Sequence, residues 1–510
     1  MPGDAILDSY EQTPYAASSH WETHPDSLAS VAAILGIDAP DIRTCRVLEI
    51  GCATGGNILP LAVALPGAEF TGIDLSPRQI ELARRVAAAL GLSNIGLQAV
   101  DLMDFPAGAG PFDYIICHGV YSWVPDPVRR KVLELCARHL SPSGIAYISF
   151  NTYPGWHLRG IARDMMAFHA GRFDSPQQKV AESRRFMSLA AGAVSDPEGI
   201  FARIVADEAR ELADQLDYYV LHEHLDGINR PFYFHEFQHH LEEFGLTYLS
   251  ESPLASSAFG RHGGKIQPAL EQLPPDPLAQ EQYLDFLTNR TFRRSLVCHR
   301  GALRERRPRP EALASMQFSA IVRAANPRPD LAGNTVERFE TATGKTISTN
   351  NPAMKAILFR LAQASPNAAG FEGIRAMAGN IEPAALCAAL LESVLVGIIS
   401  PHRATVPLAP AVSDHPRAFE YARLQASDGL DVVTNTRHRG VVLEEIDPAV
   451  LALLDGTRDA AQIVAALEQR IDAGDIDIGA RADPTQQRAA LTAYLPKSLD
   501  RLHRGALLVE

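Results

Sequence analysis

Short apolar runs alternate with amphipathic stretches through the first 150 residues. The runs RVLEIG (46–51), EFTGID (69–74), GLQAVD (96–101), DYIICHG (113–119) and GIAYISF (144–150) are too short for helices, and several end at Gly or Asp. Apolar runs of this kind predict strands buried on both faces. Between them, PRQIELARRVAAALG (77–91) and PVRRKVLELCARHLS (127–141) repeat their apolar positions with helical period. Strands separated by helices of this length predict an α/β fold with a parallel sheet joined by right-handed crossovers.

After Phe150 the alternation stops. Residues from about 158 to 231 read as polar and helical, an insertion placed where lids over a site commonly form. FHEFQHHLEEFGLTYLSES (234–252) predicts a helix, a cap at Gly245 and a strand, and RRSLVCHR (293–300) predicts one more strand. RERRPRPEA (304–312) and PHRATVPLAPAVSDHPRA (401–418) read as linkers. The segments they delimit look distantly alike. ERFETATGKTIST (337–349) and DVVTNTRHRGVVLEE (431–445) each predict a hairpin followed by helices, the outline of a small α+β, winged-helix-like domain. The expected division is 1–305, with the insertion at 158–231, then 313–400 and 419–510.

Composition narrows the class. The 510 residues allow two to four domains at roughly 150 residues each. Lys plus Arg is 47 against 60 Asp plus Glu, a net charge of −13, which disfavours a general nucleic-acid binder. Six cysteines without regular spacing make neither a disulfide framework nor a zinc ribbon. MPGDAILDSYEQ carries acids and no apolar signal core, and AALCAALLESVLVGIIS is short for a membrane span and interrupted by Glu392. The expectation is a cytoplasmic protein that does not insert into membranes.

The strongest chemical signal is VLEIGCATGGN (47–57). A glycine-rich turn between a strand and a helix lets backbone approach a ligand. The glycines here are Gly51, Gly55 and Gly56, so the G-x-G-x-x-G diphosphate fingerprint is absent. Glu49 would repel a diphosphate and suits a cationic ligand carrying an amino group. Asp74, about 20 residues further on, is placed to accept hydrogen bonds from ribose hydroxyls. Asp101 and Leu102 can bracket an adenine edge and face. Each acid alone also reads as a helix N-cap; together they mark the ends of successive strands.

E-I-G-C-A-T-G-G, G-I-D-L-S and A-V-D-L resemble the class I S-adenosylmethionine-dependent methyltransferases. The resemblance implies a Rossmann-like seven-stranded sheet, with GLTYLSES as the sixth strand and RRSLVCHR as an antiparallel seventh. It implies that Glu49 and the loop residues Gly51, Cys52, Ala53, Gly55 and Asn57 hold the methionine portion. Asp74, with Leu75 and Gln79 after it, would hold the ribose, Asp101 and Leu102 the adenine, and His118 would touch the cofactor. Ala53 stands where the family pattern has its middle glycine. THPDSLA (23–29), CHGVYSWVP (117–125), NTYPGWH (151–157) and HEHLDGINRPFYFHEF (222–237) resemble bacterial methyltransferases carrying a methyltransferase regulatory domain, a group that includes the PKMT type. In such enzymes the N-terminal segment folds over the cofactor, which implies caps from Tyr10, Tyr15 and His24. The alternative reading is a surface segment before a helix starting at Pro25–Asp26.

The implied methyl acceptor is a lysine of a protein substrate; a small-molecule acceptor, or a scaffold that binds the cofactor without catalysis, are the alternatives. A homodimer is allowed. A lysine ammonium must lose a proton before attack, at a cost of roughly 4–5 kcal/mol at pH 7 from an unperturbed pKa near 10.4. Aromatic, apolar walls lower that cost. Tyr121 and Trp123 after the fourth strand, and Asn151, Tyr153 and Trp156 after the fifth, are the candidates for the acceptor side. The bland readings are a buried Trp123, a turn at Tyr153-Pro154-Gly155 and a core His118. HEFQH (235–239) matches H-E-x-x-H, yet it lies in the helix before the sixth strand, and no metal is expected.

Overall fold

The computed structural model of the protein describes residues 18–509 apart from 226, 342, 343, 345, 380, 405, 407 and 477–482. Seven strands form the central sheet: β1 (Arg46–Ile50), β2 (Glu69–Asp74), β3 (Ile95–Ala99), β4 (Phe112–Cys117), β5 (Leu140–Asn151), β6 (Leu246–Glu251) and β7 (Phe292–His299). Their order is β3-β2-β1-β4-β5-β7-β6, and β7 runs antiparallel to both neighbours. The sheet is therefore mixed rather than wholly parallel. Val47 pairs with Phe70 on one side and Tyr114 on the other, which puts β1 at the centre. The third strand ends at Ala99, short of the expected Asp101, because Asp101 instead caps a single 3₁₀ turn at Leu102–Asp104.

Continuous apolar runs form because both faces of the sheet are covered. Val47, Phe70, Tyr114, Ile116, Ile145 and Tyr147 face one core with helices α1 (Pro25–Ile34), α2 (Ile58–Ala64) and α3 (Pro77–Ala89). Leu48, Ile73, Ile115, Cys117, Ala146 and Ile148 face the other, with α4 (Asp126–His139) and α8 (Phe234–Glu242). Between β5 and α8, helices α5 (Gly155–Ala170), α6 (Pro176–Ala193) and α7 (Ile200–Asp214) pack around Met166, Val180, Met187, Val205 and Leu212, a core of their own. The insertion thus starts at Gly155, where a side chain would strike the Arg290 carbonyl.

The first core continues without a break into the C-terminal half, through Phe318, Ile357, Leu390, Tyr421, Val450, Leu467 and Leu508. Both expected hairpins form: Glu337–Thr341 pairs with Thr346–Thr349, and Val432–Thr434 with Gly440–Val442. The two expected linkers are anchored at points on their neighbours although much of each is exposed. Arg306 donates to the Tyr248 and Leu249 carbonyls, and in the second segment Ala409 is buried while its carbonyl accepts from Asn367. Proline and arginine in these segments serve packing between domains rather than extension.

Candidate active site

The loop after β1 turns through left-handed conformations at Gly51 (φ 73°), Ala53 (φ 48°) and Gly55 (φ 83°). At Gly51 glycine is also required by space, since a Cβ would lie 2.6 Å from Val120 Cγ2. Ala53 occupies the left-handed region with a side chain, a strain of about 1 kcal/mol that explains the glycine of the related pattern. Asp74 at the tip of β2 accepts from the Ala53 amide with one oxygen and the Ser76 amide with the other, each at 2.9 Å. Each oxygen keeps a lone pair for a ribose hydroxyl. Burial raises its pKa, and those amides oppose the rise.

Glu49 is buried beside this loop. Its Oε1 accepts from Asn57 Nδ2 at 2.8 Å, while Oε2 has no partner among the described residues. Burial raises its pKa to about 8, against the Asn57 hydrogen bond and helped by the nearby charge of Asp74. A buried carboxylate half satisfied in this way is completed by a cation bearing N–H donors. Gln79 Oε1 is likewise buried and without a partner among the described residues. Leu75 is exposed, Asp101 is exposed at its turn, and Leu102 is buried beneath it. Cys52 points under the loop against β2, where a side chain on Gly72 would meet its Sγ, so it supports the loop from behind.

His118 follows β4. Its ring stacks under His20 with centroids 3.8 Å apart, and its Nδ1 lies 3.0 Å from the Tyr147 hydroxyl. Burial holds both histidines neutral, with His20 lowered to about 4. Residues 18–24 therefore cross the end of β4. His24 caps α1 by accepting from the Asp26 amide; Tyr10 and Tyr15 lie outside the described residues. Asn151 at the end of β5 accepts from no base-like group; its amide takes the Ser122 hydroxyl, and its Nδ2 donates to Asn229 Oδ1 at 3.0 Å.

The aromatic candidates divide into two kinds. Tyr153 is half-buried, stacked on His157 at 4.0 Å and tilted toward Tyr233 at 5.2 Å. Trp123 and Trp156 are both buried and meet edge to face at 6.5 Å, joining the end of β4 to the first turn of α5, so the packing reading of Trp123 holds. Tyr121 is different. It is fully buried among Phe150, Phe232 and Phe237, with its hydroxyl 3.1 Å from His240 Nδ1. It supports the loop after β4 through packing and presents no surface to an acceptor. His235 is engaged with Gln282 and His239 stands beside Glu243, and among the described residues no three metal-ligating side chains cluster.

Three family descriptions match the chain: "Methyltransferase domain" over residues 47–144, "Predicted methyltransferase regulatory domain" over 216–299 and "PKMT, C-terminal winged helix domain" over 414–507. The uncharacterized protein RP789 of Rickettsia prowazekii is 32% identical, over 98% of this chain and 93% of its own. PKMT2 from Rickettsia typhi in complex with AdoHcy aligns with a TM-score of 0.86 at 29% identity, over 98% of this chain and 100% of that one. The chain belongs to the S-adenosylmethionine-dependent methyltransferases of PKMT type.

In this methyltransferase the regulatory-domain match overlaps the helical insertion only at its end and otherwise falls on α8, β6 and β7. The winged-helix match covers the second hairpin. The residues present fit S-adenosylmethionine: an orphan buried carboxylate oxygen at Glu49, a loop packed too closely for side chains at Gly51, and Asp74 poised at the tip of β2. Sequence reasoning missed His20, Thr23, Asn229 and His438. His20 and Thr23 from one segment, and His438 from far along the chain, all lie against Asn57. Only NTRHRG, a basic turn between two short strands, signals His438, and any exposed hairpin tip looks the same.

Proposed function

We propose that this methyltransferase transfers methyl groups to lysine side chains of a protein. The observation that carries the reading is the aromatic group at the ends of β4 and β5, where Trp123 meets Trp156 and Tyr153 stacks on His157. The bound cofactor supplies an electrophilic methyl on a sulfonium. Glu49 and Asp74 anchor the cofactor at opposite ends, so the chain's main contribution is alignment and exclusion of water.

On the acceptor side, half-buried Tyr153 offers ring surface to the aliphatic stem of lysine and disfavours its ammonium form by burial, while Trp123 and Trp156 are themselves buried. Neutral His118 adds no positive charge to repel either the sulfonium or the amine. Asn151, fixed by Ser122 and Asn229, presents amide groups that orient an amine at the end of β5. The PKMT type of the aligned structure and the winged-helix match support a protein as the acceptor. Six free, buried cysteines support a reducing compartment such as the cytoplasm.

Transfer of labelled methyl from S-adenosylmethionine to a protein extract and to a metabolite pool tests this. Label recovered as methyl-lysine after hydrolysis is the expected result. Label confined to small molecules, or cofactor binding with no transfer to either pool, overturns it.

A further inference from the structure

The hairpin turn of the winged-helix domain ends inside the cofactor half of the molecule. Arg437, His438 and Arg439 each enter a different neighbour. Arg437 donates to the Pro366 carbonyl at 2.6 Å, and the Arg439 guanidinium lies 3.9 Å above the Trp21 ring. Between them His438 is 2% exposed and in the left-handed region at φ 60°, an arrangement that persists only where its surroundings over-determine it. They do. Asn435 accepts from the Arg437 and Arg439 amides and donates to the Gly505 carbonyl, tying the turn to the last helix, Pro484–Arg504.

His438 Nε2 lies 2.7 Å from Asn57 Oδ1. A carboxamide oxygen only accepts, so this nitrogen carries the proton. The same oxygen accepts from the His20 amide at 2.9 Å, and the Thr23 hydroxyl, which lies closer to the His20 carbonyl at 2.7 Å, is 3.1 Å away. The His20 amide and His438 Nε2 on the oxygen leave the Asn57 amide one orientation, with Nδ2 donating to Glu49 Oε1 and Glu49 Oε2 without a partner among the described residues.

We infer that His438, from the C-terminal domain, is a positioning residue of the cofactor site: by fixing the Asn57 carboxamide it orients the Glu49 carboxylate toward the cofactor's amino group. The winged-helix domain thereby completes the site for S-adenosylmethionine, whatever the acceptor. A cofactor pocket without this turn keeps its loop but loses the restraint on Asn57.

The test compares His438→Leu, which fills the space without a donor, with His438→Gln, whose amide restores one, in the full chain. Calorimetry with S-adenosylhomocysteine reads the site without catalysis, and thermal unfolding confirms folding. His438→Leu is expected to weaken binding on the order of tenfold, the loss of one hydrogen bond, and His438→Gln to recover most of it. In an Asn57→Ala background the two variants should bind alike. Steady-state kinetics should show the loss in KM for the cofactor rather than in kcat. Equal affinity of the folded Leu, Gln and unaltered proteins overturns the assignment, as does a full Leu effect in the Asn57→Ala background. Should the variants not fold, nitrogen-15 histidine resonances of the unaltered protein decide it. An Nε2–H signal at His438 that moves when S-adenosylhomocysteine binds is expected, and one that does not move overturns the assignment.

Discussion

Two buried polar networks in this protein are built on opposite plans. Around Arg293, which is fully buried, the guanidinium meets Asp285 at 2.8 Å, Glu251 at 2.8 Å and Glu281 at 3.2 Å, with Arg290 adding a second cation beside Asp285. Ser295 and the Ala258 and Arg294 amides supply further donors to these carboxylates. Charge is met by charge, and the helix α9 (Pro277–Thr288) is locked onto β6 and β7. Around Asn57 the participants are neutral: an amide and the histidines His20, His24, His118 and His438, with a Glu49 carboxyl left half satisfied. The first network sets every carboxylate against a guanidinium and holds architecture, with Arg290 Nη1 lacking a partner among the described residues. The second is incomplete without a cation from outside, which is what a ligand site requires.

The largest expected effect breaks the charged network. Arg293→Met strands three buried carboxylates and should cost about 3–5 kcal/mol of stability, read as a lowered denaturation midpoint with cofactor affinity measured on the protein that remains folded. The neutral network should show itself through pH. His20 and His24 titrate near 4 in the folded chain, mainly because burial disfavours their charged forms, against 6.5 unfolded. The unfolded state therefore binds more protons between those values, and stability falls as pH drops from about 6.5 toward 4. The slope is about 1.4 kcal/mol per pH unit for each histidine, so roughly 2–3 for the pair. Urea unfolding across that window should show it, and His24→Asn, which keeps a cap for the Asp26 amide, should flatten it.

A third prediction sharpens the contrast at the ligand. Asp74→Ala should weaken cofactor binding by roughly 1–3 kcal/mol in calorimetry, on the proposal that its carboxylate, held by the Ala53 and Ser76 amides, also accepts from the ribose hydroxyls. Unchanged affinity in the folded variant would remove Asp74 from the site. The smallest effect concerns the loop itself: Ala53→Gly relieves a left-handed alanine and should raise stability by about 0.5–1 kcal/mol in thermal unfolding, offset in part by entropy gained in the unfolded chain.

The local chemistry of the first half was readable in order. Buried strands announce themselves as short apolar runs, and β2 ends at Asp74 where the run does. The left-handed loop needs Gly51 and Gly55 because no larger residue fits or relaxes there. Those are properties of neighbouring residues, so a linear string carries them. Boundaries drifted where two local options compete, as at Asp101, which caps a turn in preference to extending β3.

Only the folded chain decided the rest. Tyr121 and Trp123 look alike as aromatics after β4, yet one is enclosed by phenylalanines and the other meets Trp156 at the insertion, and that choice depends on α8 and α5 arriving from elsewhere. The proline- and arginine-rich stretches became packed junctions because partner surfaces such as β6 were there to receive them. His438 meets Asn57 across a separation of 381 residues. Local pattern encodes strands, turns and the loop that approaches the cofactor, since steric and hydrophobic rules act at short range along the chain. The orientation of an amide by groups from two segments far apart in the chain, residues 20–23 and His438, is a fact of tertiary geometry alone.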